Sequence, residues 1–124
     1  MLIPFFLVAG SIFAVLHIIA SELYLYWRFE WFDIPMHFYG GLVVVLGIFA
    51  LASRNFLVKE RWLTLTVSLV TLMIFASIWE LYELVIGATV PNNYVLDTIL
   101  DFVMGIGGAT FGYYFCSHFY HSKI

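Results

Sequence analysis

The sequence predicts an all-α membrane protein, a four-transmembrane-helix bundle forming one integral membrane domain, and three observations carry that prediction. The 124 residues are 64% hydrophobic and only 10% charged, against a charged fraction of about a quarter in soluble domains. Four stretches without Asp, Glu, Lys or Arg, 1–21, 34–53, 62–79 and 102–122, each approach the roughly 20 residues that cross a hydrocarbon core. The few acids recur at helical spacing inside apolar sequence, where a charge facing lipid costs at least about 2.5 kcal/mol. They must therefore meet protein, water or an ion. A single cysteine, Cys116, excludes an internal disulfide and a cysteine-built metal site.

The first helix is predicted over about residues 4–26, with Pro4 suited to a first turn. Gly10, Ala14, His17 and Ser21 recur on one face as a small-residue packing stripe, on which His17 is a structural polar group. No basic segment precedes this helix and no small-residue cleavage pattern closes it, so it is expected to be retained rather than removed as a signal peptide. The aromatic, amphipathic connection Trp27–Phe32 suits the headgroup layer, and Glu22 and Glu30 are expected to be solvated. A second helix is predicted over about 34–53, with Asp33 as N-cap and Pro35 in the first turn. The loop from Arg54 to Arg61 carries Arg54, Lys59 and Arg61 against Glu60 alone. By the positive-inside rule this loop is cytoplasmic, and four spans then place both termini there, in agreement with Lys123. A third helix is predicted over about 62–88, a turn at Pro91-Asn92-Asn93, and a fourth helix over about 95–118. Tyr24, Trp27, Trp31, Trp79, Tyr82 and Tyr94 form one interfacial belt, and Phe56, Trp62, Tyr113, Tyr114 and Tyr120 the other. Nothing in the chain suits nucleic acid.

With this topology seven of eight carboxylates fall toward the outer face and only Glu60 lies inside. Glu80 sits roughly 27 Å along the helix from Trp62, near the edge of a core about 30 Å thick. Glu80 and Glu83 share a face at i, i+3. Asp97, Asp101, Gly105, Gly108 and Gly112 form an acidic stripe that turns to glycine, and Asp33, His37, Gly40, Val44 and Gly47 repeat the pattern. Small residues let helices approach closely in lipid, so these stripes are expected to draw the second and fourth helices against the third and bring their polar ends together. The expected site is Asp33, His37, Glu80, Glu83, Asp97 and Asp101. So many carboxylates cannot all remain ionised without compensation. A divalent cation would supply it, as would shared protons or Arg28. Carboxylates with one imidazole suit Mg²⁺, Mn²⁺ or Fe²⁺, with Zn²⁺ also compatible. Capping would account for Asp33 and Asp97 taken singly, but not for Glu80, Glu83 or Asp101.

At these residues the chain resembles the YjdF-like and VanZ-like families of small bacterial membrane proteins. The YjdF-like pattern is closer, matched by His37-Phe38 with Gly40, by Trp79-Glu80-Leu81-Tyr82-Glu83, and by Asp97-Thr98 followed by Asp101, Gly105 and Gly108. The resemblance covers about residues 33–112. VanZ-like sequences usually carry Lys after the first Asp and often Gln as the second member of the pair, where this chain has Ile34 and Glu83. The resemblance implies a multi-pass protein of a bacterial or archaeal inner membrane with a site at these positions, and does not fix a reaction.

Three functions are compatible with the residues. The first is a metal-dependent enzyme acting on a lipid or lipid-linked group at the outer leaflet, with Glu80 or Glu83 as general base and His37 as ligand or proton donor. The second is a non-catalytic protein that binds a headgroup or ligand, alone or as a subunit. The third, an ion- or proton-coupled transporter, is least favoured because only His17 and glycines lie below the acids. The glycine faces would also serve a homo-oligomer. Gly-x-Ser-x-Gly and His-Glu-x-x-His signatures are absent.

Overall fold

Helix boundaries in this chain follow local chemistry. The computed structural model describes residues 2–88 and 93–122. In order the elements are α1 (Leu2–Glu22), the short α2 (Leu25–Arg28), α3 (Asp33–Ala52), a 3₁₀ turn (Glu60–Trp62), α4 (Leu65–Ile86) and α5 (Tyr94–His121). Among the described residues there are no strands, and α1, α3, α4 and α5 are each long and apolar enough to cross a membrane. The Pro91-Asn92 part of the expected turn and Lys123 lie outside the described residues.

Three helix ends differ from the sequence expectation for identifiable reasons. The first helix stops at Glu22 instead of running to Tyr26, because Tyr24 takes a left-handed conformation with φ 56°. Such a conformation costs a non-glycine residue about 1–2 kcal/mol. It turns Tyr26 back against the bundle, where it is buried with Ala20 and Met36 and shares a 2.9 Å hydrogen bond with His17 Nδ1. The third long helix starts at Leu65, three residues late, because Thr64 Oγ1 accepts a hydrogen bond from the Val67 N–H and caps it there. It ends at Ile86 because Gly87, with φ 72°, closes it in the left-handed region. Asp33 is not the N-cap of α3. Phe32 occupies that position, and Asp33 is the first helical residue.

Packing also corrects which helices the glycines join. The most extensive contact is between α3 and α5. At this seam a Cβ on Gly41 would strike the Gly105 carbonyl oxygen and lie 2.9 Å from the Ala109 nitrogen, and one on Gly108 would strike the Phe38 carbonyl oxygen. The two backbones therefore touch directly, as glycine permits in lipid. The expected stripe of Gly40 and Gly47 faces α1 instead of α4: their Cβ positions meet Phe13 at 3.5 Å and Phe6 at 3.0 Å.

One end of the bundle is closed by apolar packing. Leu2, Phe49 and Cys116 share a buried cluster there, and the Tyr120 hydroxyl donates to Glu60 Oε1 at 2.8 Å. This end holds the start of α1, the end of α5 and the basic loop. The acids gather at the other end. Most of the remaining large apolar side chains, such as Val8, Ile74, Val85 and Val103, are exposed on the outside of the bundle, where hydrocarbon is their natural solvent.

Candidate metal centre

Two helix starts and one helix end supply the centre. Asp33 and His37 stand one turn apart at the beginning of α3, Glu80 and Glu83 near the end of α4, and Asp97 and Asp101 at the beginning of α5. The close α3–α5 seam sets Asp101 against His37. The His37 Nε2 lies 3.3 Å from Asp33 Oδ1 and 3.5 Å from Asp101 Oδ2. Glu83 completes the group, and one ligand atom each from Asp33, His37, Glu83 and Asp101 lies within 4.8 Å of the others.

The imidazole stands at ion-pair distance from both aspartates, in a geometry that falls short of a hydrogen bond. The His37 Nε2, Asp33 Oδ1 and both carboxylate oxygens of Asp101 are buried without a hydrogen-bond partner, and Asp101 is 1% exposed. Buried polar atoms are nearly always satisfied. Ligands about 2.0–2.1 Å from a tetrahedral Zn²⁺ stand about 3.3 Å apart, and trans ligands on an octahedral Mg²⁺ about 4.2 Å. The two His37 separations fall in that range and the remaining ones reach at most 4.8 Å, so with a small inward shift these four residues could hold one divalent ion. Among the described residues no arginine or lysine pairs with these carboxylates, and Arg28 is not a counter-charge here.

The other two expected residues take different places. Glu80 is buried beside the four, with Oε2 accepting from the Thr98 hydroxyl at 3.2 Å and Oε1 unpartnered. Asp97, half-buried in the first turn of α5, does not join the four-residue group. Neither Asp33 nor Asp97 serves as a helix cap, since the N-caps are Phe32 and Asn93. Glu22 and Glu30 are exposed.

Three supporting residues were not assigned to the site from the sequence. Trp79, expected in the interfacial belt, turns inward: its indole N–H donates to Glu83 Oε1 at 2.9 Å, and its ring stands edge-on to His17 and His37. Its i, i+4 spacing to Glu83 was the available signal. Thr98 orients Glu80. Tyr26 closes over the site from α2, and burial, followed by the Asp33 and Glu83 carboxylates, pushes its phenol above the usual range.

A family model described as "Predicted membrane protein (DUF2238)" matches residues 1–122. The chain belongs to this family. The match spans all four long helices and every residue of the centre, so this DUF2238 chain is a multi-pass membrane protein on both sequence and structure. Neither the curated proteins nor the solved structures yield a match.

Proposed function

We propose that this protein is a divalent-metal-dependent enzyme of the YjdF-like type, acting on a lipid or lipid-linked group at the outer leaflet of a bacterial or archaeal inner membrane. The observation that carries the proposal is Asp101, fully buried, with Oδ2 3.5 Å from His37 Nε2 and neither oxygen in a hydrogen bond. A buried carboxylate without a partner is costly, and an ion shared with Asp33, His37 and Glu83 removes that cost. When bound, the ion supplies a water of lowered pKa and polarises a substrate oxygen. Glu80, outside the ligand set with Oε1 free, is the general base, held by Thr98. Trp79 fixes Glu83 as a ligand, and the Tyr26–His17 pair seals the wall. The excess of Arg and Lys in the 54–61 loop supports a cytoplasmic position for that loop, and with it for both chain ends.

A second reading, a non-catalytic binding protein, is favoured by one observation: the side chains of His37 and Asp101 are 8% and 1% exposed. Closed four-ligand sites are characteristic of structural metals, whereas catalytic sites keep a position open. Elemental analysis and turnover of extracted membrane lipids separate the readings. The enzyme reading expects stoichiometric metal in wild type and in Glu80→Gln, loss of metal in Asp101→Asn, and turnover in wild type alone. Metal with no turnover, accompanied by a ligand-dependent rise in thermal stability, is the outcome expected of the binding protein. A metal-free wild type sinks both forms of the metal proposal.

A further inference from the structure

Directly below the centre lies a cavity of about 670 Å³, within the usual range for ligand pockets of about 300–1,000 Å³. His37 and Trp79 stand at its upper end and Leu51, Val58 and Trp62 at its lower end, with Val44 and Phe75 among the residues between them. From His37 to Leu51 the wall of α3 runs about 21 Å. Among the described residues, the side-chain polar groups on its lining apart from His37 are the Thr71 hydroxyl and two indole nitrogens. At about 30 Å³ per water-sized group the volume accommodates roughly twenty carbon atoms. That is one hydrocarbon chain.

The walls show where such a chain comes from. Along its length α1 packs on α3 and makes no comparable contact with α4. The two meet at the upper end through rings, with Phe13 and His17 against Trp79 at centroid separations of 6.1 and 4.8 Å. Below that aromatic closure the space between α1 and α4 is lined by apolar side chains and faces the bilayer, so its natural occupant is drawn from lipid. The upper end selects the head. Three ligand carboxylates outweigh the two charges of one divalent ion, Glu80 adds a fourth acid, and among the described residues no arginine or lysine pairs with the cluster. The acid in excess of the ion disfavours a phosphate beside it and suits a neutral oxygen.

We infer that the protein binds a neutral single-chain lipid, its hydrocarbon chain in the α1–α3–α4 cavity and its ester or hydroxyl end at the metal centre. This rests on the proposed metal site for the head and on the cavity alone for the tail. The test uses a long-chain monoacylglycerol carrying a mid-chain diazirine, photolysed with the purified protein in nanodiscs, with adducts mapped by mass spectrometry. Adducts on Val44 and the buried Leu72, lost in Val44→Trp while metal content is retained, and competed by unlabelled monoacylglycerol but not by a long-chain alkyl phosphate, are expected. Adducts confined to the exposed Ile74 and Leu81 overturn the inference, as does equal competition by the alkyl phosphate. Should Val44→Trp fail to fold, the adduct map and the competition on wild type decide alone. Cavity adducts on a metal-free protein would retain the tail assignment and discard the metal; bound metal with outward adducts would discard the tail assignment only.

Discussion

Replacing Asp101 by asparagine keeps the shape of the side chain and removes its charge, which makes the sign of the stability change diagnostic. Without an ion, the carboxylates of Asp33, Glu83 and Asp101 face one another within 4.8 Å. Two full charges at that separation repel by about 3.5 kcal/mol at an effective dielectric of 20. The His37 imidazole beside Asp33 and Asp101 offsets most of this, leaving a gain on the order of 1 kcal/mol for Asp101→Asn in chelator. That is about 4 °C in apparent Tm for a chain of this size. With ion at a hundredfold above its Kd, wild type gains about 2.7 kcal/mol, whereas a variant that binds a hundredfold more weakly gains about 0.4 kcal/mol. The order of stabilities therefore reverses between chelator and metal. Tryptophan-fluorescence melting in detergent, with EDTA and then with each of Mg²⁺, Mn²⁺, Fe²⁺ and Zn²⁺, measures it. A variant destabilised equally in both conditions would refute the reasoning, because Asp101 would then be a structural hydrogen-bonding group.

Three further outcomes are expected. Gly108→Ala drives a Cβ into the Phe38 carbonyl oxygen and should cost about 1–3 kcal/mol by overpacking, whereas Gly107→Ala meets only the Phe38 ring at 3.7 Å and should be near neutral; paired thermal melts check the contrast. Trp79→Phe keeps an aromatic ring but removes the hydrogen bond to Glu83 Oε1, so metal affinity measured by calorimetry should fall about 10–100-fold. Tyr26→Phe removes the partner of His17 Nδ1 and should destabilise by about 1–3 kcal/mol, while metal stoichiometry by mass spectrometry stays unchanged.

The acids were legible in the sequence because helical periodicity is a local property. Asp33 with His37 at i, i+4 and Asp101 above Gly105 and Gly108 fix which side chains share a face, and the rarity of charge in apolar sequence makes them conspicuous. Their convergence also followed from the glycines, but the partner helices did not. Gly40 and Gly41 are adjacent and therefore point about 100° apart; spacing cannot say which faces α5 and which faces α1. The break at Tyr24 was hidden for a related reason. Nothing local favours a left-handed tyrosine, and it is the burial of Tyr26 against Ala20 and Met36 that sustains it. Trp79 was misplaced because an aromatic near a membrane edge suits a belt and a hydrogen bond to a neighbouring ligand equally well from sequence. Only the position of α1 across from it, bringing Phe13 and His17 onto its ring, distinguishes the two.

X-ray absorption spectroscopy of the metal-loaded protein addresses most directly whether Asp33, His37, Glu83 and Asp101 ligate a single ion. One imidazole nitrogen together with carboxylate oxygens at about 2.0–2.2 Å, with the imidazole signal lost in His37→Gln, is the result the structure leads us to expect. A first shell of water alone, or a spectrum unchanged in that variant, would contradict it.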